Sequence, residues 1–188
     1  LSIDTSKAEA LPRVVAVASA ADTPSGRFGM VINDETVFAD GKVRYKKQPV
    51  AAVAALDLAT AEEALRLIKV KYEPLPAVFD MEEALKPDAP LVHEDTSAYG
   101  SGPVGTECPG KGNVPLRREI VHGDVEKGFA ESDLLLEERY VTAHMHQGYL
   151  EPHACLASFD SGGKLTVWTP TQGHFFVRNC LLYTSPSP

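Results

Sequence analysis

Val50-Ala51-Ala52-Val53-Ala54-Ala55-Leu56 is apolar at every position, and a strand with no polar side has to be covered on both faces. The run predicts a central strand and, with it, a layered fold. The next segment is helical. Thr60-x-x-Glu63 fits a capping box, hydroxyl and carboxylate each accepting an exposed amide, and Ala61, Ala64, Leu65 and Ile68 recur as one apolar helix face. Val70 to Glu73 alternates as a strand until Pro74 and Pro76 end it; residues 80–85 read as a second short helix stopped by Pro87. Upstream, residues 4–11 predict a helix with capping oxygens on Asp4, Thr5 and Ser6, and residues 14–18 a buried strand. Residues 22–33 have loop composition, and residues 43–45 predict an edge strand beside solvated Lys46 and Lys47. Strands and helices interleaved in this order make residues 1–95 an α+β unit.

Gly, Pro, Ser and Thr dominate residues 96–115, which places a linker and a domain boundary there. Beyond it, residues 116–122 predict a strand, and Gly123-Asp124-Val125 opens a helix that ends near Ser132, with Asp124 and Glu126 near the positive end of its dipole. Three strand-like runs come next, at 138–146, 155–160 and 165–169; Ser161-Gly162-Gly163-Lys164 joins the last two as a hairpin loop. An amphipathic helix begins at Phe175, and the Ser/Pro-containing tail is expected to break it before its turns are complete. Residues 116–179 thus read as the start of a second domain and residues 180–188 as a non-native tail. Leu1 is not an initiator, so a piece of a longer protein is expected.

Several function classes lose support at this point. At 44% apolar and 23% charged the chain is globular, and no apolar run approaches the ~20 residues of a membrane-spanning helix. A net charge of −8 without a basic stripe argues against nucleic acid. Cys108, Cys155 and Cys180 lack C-x-x-C spacing, which offers no thiolate metal site and suits a reducing compartment. A cytoplasmic location is expected, with a periplasmic one also compatible. No G-x-S-x-G, phosphate loop or G-x-G-x-x-G is present to support hydrolase, triphosphatase or dinucleotide chemistry.

The residues that remain for chemistry cluster near the C-terminal end. In an extended 138–146 segment, Tyr140, Thr142, His144 and His146 share one face. With Glu151 and His153 nearby, the two histidines are acceptable zinc or iron ligands by type. Histidines on a polar strand face are more often simply hydrogen-bonded, and that reading is preferred. Glu151-Pro152-His153 could form an acid/base pair; the preferred alternative has Glu151 accepting backbone amides while Pro152 fixes the turn. Gln172 stands just past a strand end, a common place for a site residue. Its carboxamide is donor and acceptor together and carries no charge at any working pH.

A chain of motifs resembles the large, molybdopterin-binding subunit of xanthine dehydrogenase and aldehyde oxidase type molybdenum hydroxylases. Val43-Arg44-Tyr45, Gln48-Pro49-Val50-Ala51-Ala52-Val53, Ala61-Glu62-Glu63-Ala64 and Tyr72-Glu73-x-Leu75-Pro76-Ala77-Val78 are similar to its a/b hammerhead domain. Gly123-Asp124-Val125, Tyr140-x-Thr142, Gln147-Gly148-Tyr149-Leu150-Glu151-Pro152-His153, Leu165 to Gln172 and Phe176-Val177-Arg178 are similar to the start of its mixed α/β molybdopterin-binding domain. Lys47 departs from the family's usual glycine before Gln-Pro, so the turn there is expected to avoid positive φ.

The resemblance implies an enzyme that hydroxylates aldehydes or N-heterocycles with oxygen derived from water, using molybdenum on molybdopterin in its cytosine dinucleotide form. It implies electrons leaving through [2Fe–2S] clusters and FAD on an iron–sulfur subunit and an FAD subunit. Gln172 would hydrogen-bond the apical oxo ligand, while the catalytic glutamate and glycine-rich cofactor segment would lie beyond Arg178. Relatives of the 4-hydroxybenzoyl-CoA reductase and carbon monoxide dehydrogenase types fit the same motifs. Outside the family, the chain would be a non-catalytic binding module.

Overall fold

The computed structural model describes residues 2–24, 26–96, 99–102, 112–115 and 120–184. Two units separate, one comprising 1–117 with 173–188 and the other 118–172.

The first unit is built on two antiparallel ribbons. β2 (Val14–Ser19) pairs with β3 (Ala51–Ala55), with an irregularity between Val14 and Ala16. β1 (Ser2–Asp4) pairs with β4 (Lys69–Lys71), bringing Ile3 opposite Val70. β1 has no apolar alternation of its own, so sequence does not predict it; its three residues are held by the partner strand. The predicted helix at 4–11 contracts to α1 (Ser6–Glu9), with Asp4 accepting from the Ser6 amide and hydroxyl just before it.

β3 is not the central strand its composition suggests. It belongs to a two-stranded sheet, and Ala52 and Ala54 on its second face are exposed. Uniformly apolar alanine runs hide this distinction, because a methyl tolerates exposure at little cost.

α2 (Leu58–Leu67) comes next in the chain, and its start corrects the capping expectation. Asp57, not Thr60, is the N-cap: its carboxylate accepts from the Thr60 amide at 2.8 Å. The same carboxylate meets Arg13 at 2.9 Å, just ahead of β2, where the Leu56 amide donates to the Arg13 carbonyl. α1 and α2 pack on each other and on the β2–β3 ribbon. Ala8 and Ala64 are fully buried, and such small side chains permit close approach of helices. The least exposed stripe of α2 runs through Ala61, Ala64 and Leu67 and on to Ile68, while Leu65 is half exposed.

Residues 43–45 form no strand. They lead instead into a turn in which the Gln48 amide donates to the Tyr45 carbonyl and the Gln48 side chain accepts from the Arg44 amide at 2.7 Å. Lys47 takes φ 71° there, the conformation its identity argues against. The turn's hydrogen bonds hold the backbone where the family's usual glycine would sit without strain. α3 (Met81–Ala84) is capped by Asp80, which accepts from the Glu82 and Glu83 amides.

In the second unit α4 (Val125–Ala130) is capped by Asp124 through the Lys127 amide. The strand expected at 116–122 falls largely outside the described residues, and 120–122 are not extended into a ladder. The strand expected at 138–146 is absent: residues 134–155 carry no regular element and are exposed, Tyr140 at 89% and Leu150 at 98%. A strand gains over hydrated coil only when a second strand takes up its amides and carbonyls, and no described segment pairs with this one. The hairpin does form, as β5 (Leu156–Phe159) and β6 (Leu165–Trp168) in antiparallel register. In the first unit, α5 (His174–Thr184) runs well past Asn179, so the helix is not broken at residue 180.

The turn at Lys47 and the cap at Asp57 can each be tested by unfolding. Lys47→Gly removes the left-handed penalty of about 1–2 kcal/mol and adds back about 0.5–1 kcal/mol of unfolded-state entropy. Urea unfolding should therefore show a net gain of about 0–1.5 kcal/mol; a loss would mean the Lys47 side chain contributes more than its backbone costs. Asp57→Ala should lower Tm while Asp57→Asn, an equally good cap, restores most of it. Equal losses in both variants would assign the effect to the Arg13 contact rather than to the cap.

Candidate functional site

Asp160 organises the approach to Gln172. Its carboxylate accepts from the Gly162 and Lys164 amides at 2.9 Å each, and its carbonyl takes the Gly163 amide at 3.1 Å. Gly163 closes the turn at φ 81°. This Asx-type turn fixes the register of the hairpin and hence where β6 ends. After Trp168 the ladder stops, Pro170 donates no backbone hydrogen bond, and Gln172 occupies a bend.

Gln172 is exposed, and its side chain makes no hydrogen bond within the described residues. Immediately after it, the Gly173 carbonyl accepts from the Val177 amide at 3.0 Å, the first hydrogen bond of α5. A Cβ on Gly173 would lie 2.7 Å from a Phe176 ring carbon, so this helix start admits only glycine without displacing the ring. Sequence reasoning missed Gly173; the available signal was a glycine directly between a polar site candidate and a helix.

The histidines do not converge as metal ligands. His146 accepts the Gly148 amide at Nδ1, 3.0 Å away, and Gly148 bends the chain at φ 71°. Tyr149 Oη lies 2.8 Å from His153 Nε2, and the Tyr149 ring centroid stands 5.1 Å from that of His146 and 5.5 Å from that of His153. His144 and Glu151 are exposed and join neither contact. Among the described residues no three His, Cys, Asp or Glu side chains are grouped as a metal ion would require. The hydrogen-bonded reading of His146 and His153 is the one the geometry fits.

A cavity of about 220 Å³ lies elsewhere, walled mainly by Leu85, Leu91 and Val114 with Lys86 and Asn113 at its edge. Asn113 is committed to structure there, accepting the Val92 amide and donating to the Ala84 and Pro90 carbonyls. No described helix is long and apolar enough to cross a membrane.

Known proteins share this architecture. Residues 1–76 match the family model for the a/b hammerhead domain of aldehyde oxidase and xanthine dehydrogenase, and residues 109–185 match the molybdopterin cofactor-binding domain. The nicotinate dehydrogenase large molybdopterin subunit of Eubacterium barkeri is 34% identical over 179 residues, 95% of this chain and 38% of that protein. The carbon monoxide dehydrogenase large chain of Afipia carboxidovorans is 38% identical over 195 residues, 100% of this chain and 24% of that protein. Reconstituted CO dehydrogenase from Oligotropha carboxidovorans superposes with a TM-score of 0.76 at 34% identity, covering 96% of this chain and 23% of that one. This chain thus spans well under half the length of these relatives. An α+β ribbon-and-helix unit matched to the hammerhead, succeeded by a second match to the cofactor-binding domain, places it plainly: the chain belongs to the xanthine dehydrogenase and aldehyde oxidase family of molybdenum hydroxylases, as a stretch of the large molybdopterin-binding subunit.

Proposed function

We propose that the parent protein hydroxylates an aldehyde or an aromatic N-heterocycle with oxygen derived from water, and that Gln172 is this chain's contact with the metal centre. The observation that carries the proposal is the placement of an uncharged, exposed carboxamide at the end of β6, inside the region matched to the cofactor-binding domain. The donor set supports a cofactor that brings its own metal, since the described side chains offer no cluster to ligate one while Gln172 offers a free N–H. Bound there, molybdopterin would supply the redox chemistry. Gln172 would donate to an oxygen on the metal without changing the charge of the centre, a fixed dipole of the kind that stabilises developing negative charge.

The cytosine dinucleotide form of the cofactor, and [2Fe–2S] and FAD carried by an iron–sulfur subunit and an FAD subunit, belong to the same proposal. Further subunits are supported by relatives named as a large molybdopterin subunit and as a large chain; the dinucleotide form and the iron–sulfur and FAD groups rest on the family resemblance alone. Nicotinate, which names the Eubacterium barkeri relative, is an N-heterocycle of the class we assign. The exposed free thiol of Cys155 suits a cytoplasmic location.

In the full-length large subunit assembled with its partners, Gln172→Leu should lower kcat by about 10²-fold, the usual cost of deleting one such donor, with molybdenum content retained. Unchanged turnover would remove Gln172 from the mechanism. Gly173→Ala should lower kcat by a smaller factor through displacement of Phe176, read independently as changed amide shifts for residues 172–177. The isolated 188-residue chain should hold no molybdenum and show no turnover; metal analysis finding both would overturn the assignment of the catalytic glutamate to a region outside it.

A further inference from the structure

Between the two regions matched to family models lies a stretch, 77–108, to which no role attaches. Part of it is stitched to the loop at 27–44. The Asn33 amide donates to the Gly100 carbonyl at 2.8 Å and the Gly102 amide to the Val31 carbonyl at 2.9 Å; Ile32 and Ser101 form a bridge. Lys42 donates to the Leu91 carbonyl and pairs with Glu94, which Arg44 also approaches at 3.7 Å. The Arg27 guanidinium sits 4.8 Å over the Tyr99 ring, and the Tyr99 hydroxyl lies 2.8 Å from His93 Nδ1. His93 and Tyr99 meet edge to face at 5.4 Å.

We propose that His93, partly buried and paired with Tyr99, over whose ring Arg27 sits, is an acid-sensitive latch that holds residues 91–96 and 99–102 on the 27–44 loop. Four charged side chains act electrostatically on the imidazole. Arg27 and Arg44 repel a proton on the ring; Asp34 and Glu94 attract one. Glu94 is already shared by Lys42 and Arg44, so it has little left to offer an imidazolium. The Nε of Arg44 is buried without an acceptor among the described residues, which makes added positive charge beside it costly. Protonation puts a hydrogen on both ring nitrogens of His93, so a Tyr99 hydroxyl that donates to Nδ1 has to turn its proton away.

Burial first, and then Arg44, hold the His93 pKa below the ordinary imidazole value, Arg27 adding to them and Asp34 and Glu94 opposing. The open state therefore binds the proton more readily than the latched one. By linkage, latching is fully favoured above the ordinary histidine value of ~6.5 and is lost as pH falls through the depressed one.

Hydrogen exchange on the full chain tests this. From pH 7.5 to pH 5.5, corrected for intrinsic rates, protection of the Asn33 and Gly102 amides should fall about threefold or more relative to the Leu56 amide, which binds the Arg13 carbonyl away from the latch. His93→Gln keeps an acceptor for Tyr99 but cannot take up the proton, and should abolish the difference. Parallel loss at all three amides, or a pH response that survives in His93→Gln, would overturn the proposal. Should that variant fold poorly, an NMR titration of His93 in the parent chain decides: a midpoint below ~6.5 is expected, and one at or above it refutes the latch.

Discussion

A single carboxylate, that of Asp57, stands where three elements of the first unit meet. It lies just beyond β3, caps α2 through the Thr60 amide, and reaches Arg13 at the turn that launches β2. The cap is part-buried, the ion pair is exposed, and each is individually modest. Their shared geometry is what matters, because a helix N-terminus leaves amides that require a partner, and Asp57 supplies one at the point where β2 and β3 are joined by the Leu56 to Arg13 hydrogen bond. The ribbon and the helix are thereby fixed to each other, and Ala8 and Ala64 can be buried between them.

Carboxylates act in the same way throughout the chain, and they show what sequence can and cannot decide. Asp80 and Asp124 are both caps, although in sequence the first reads as the opening residue of its helix and the second as a first-turn carboxylate. Asp57 is masked by its neighbour, because Asp57 and Thr60 are both good N-cap residues and only Thr60 is followed three positions on by a glutamate; the backbone, extended at Asp57, decides between them. Asp160 is hidden for a related reason. The glycines of its loop announce a turn, but the residue that binds the loop's amides lies one position before the run that looks like the turn.

Strands are legible in proportion to how local their pairing is. β5 and β6 are joined by a short turn, so alternation and turn chemistry together specify them. β2 and β3 are recognisable by composition, yet nothing in either run tells whether a third strand lies beside them. β1 is three residues long and exists through its pairing with β4, a strand far along the chain that no window of sequence around β1 contains. The run at 138–146 errs in the opposite direction: it alternates as a strand should, but alternation describes a face and does not provide a partner. Lys47 is the same lesson at one residue. Its identity argues against positive φ, while the Gln48 side chain and the Tyr45 carbonyl bind the surrounding backbone into a turn that requires it.

Gln172 is where local and distant information meet. The strand end and the helix that bracket it are both visible in sequence, and so is the neutral amide between them; its exposure agrees with that reading. Gly173, the next residue, was not singled out in sequence, although a Phe176 ring carbon occupies the space a side chain there would need and the first α5 hydrogen bond begins on its carbonyl. A neutral donor can stabilise developing negative charge without altering the net charge of a centre, and it is on this ground, rather than on any metal-ligating side chain, that the carboxamide is proposed as a contact of the molybdenum centre.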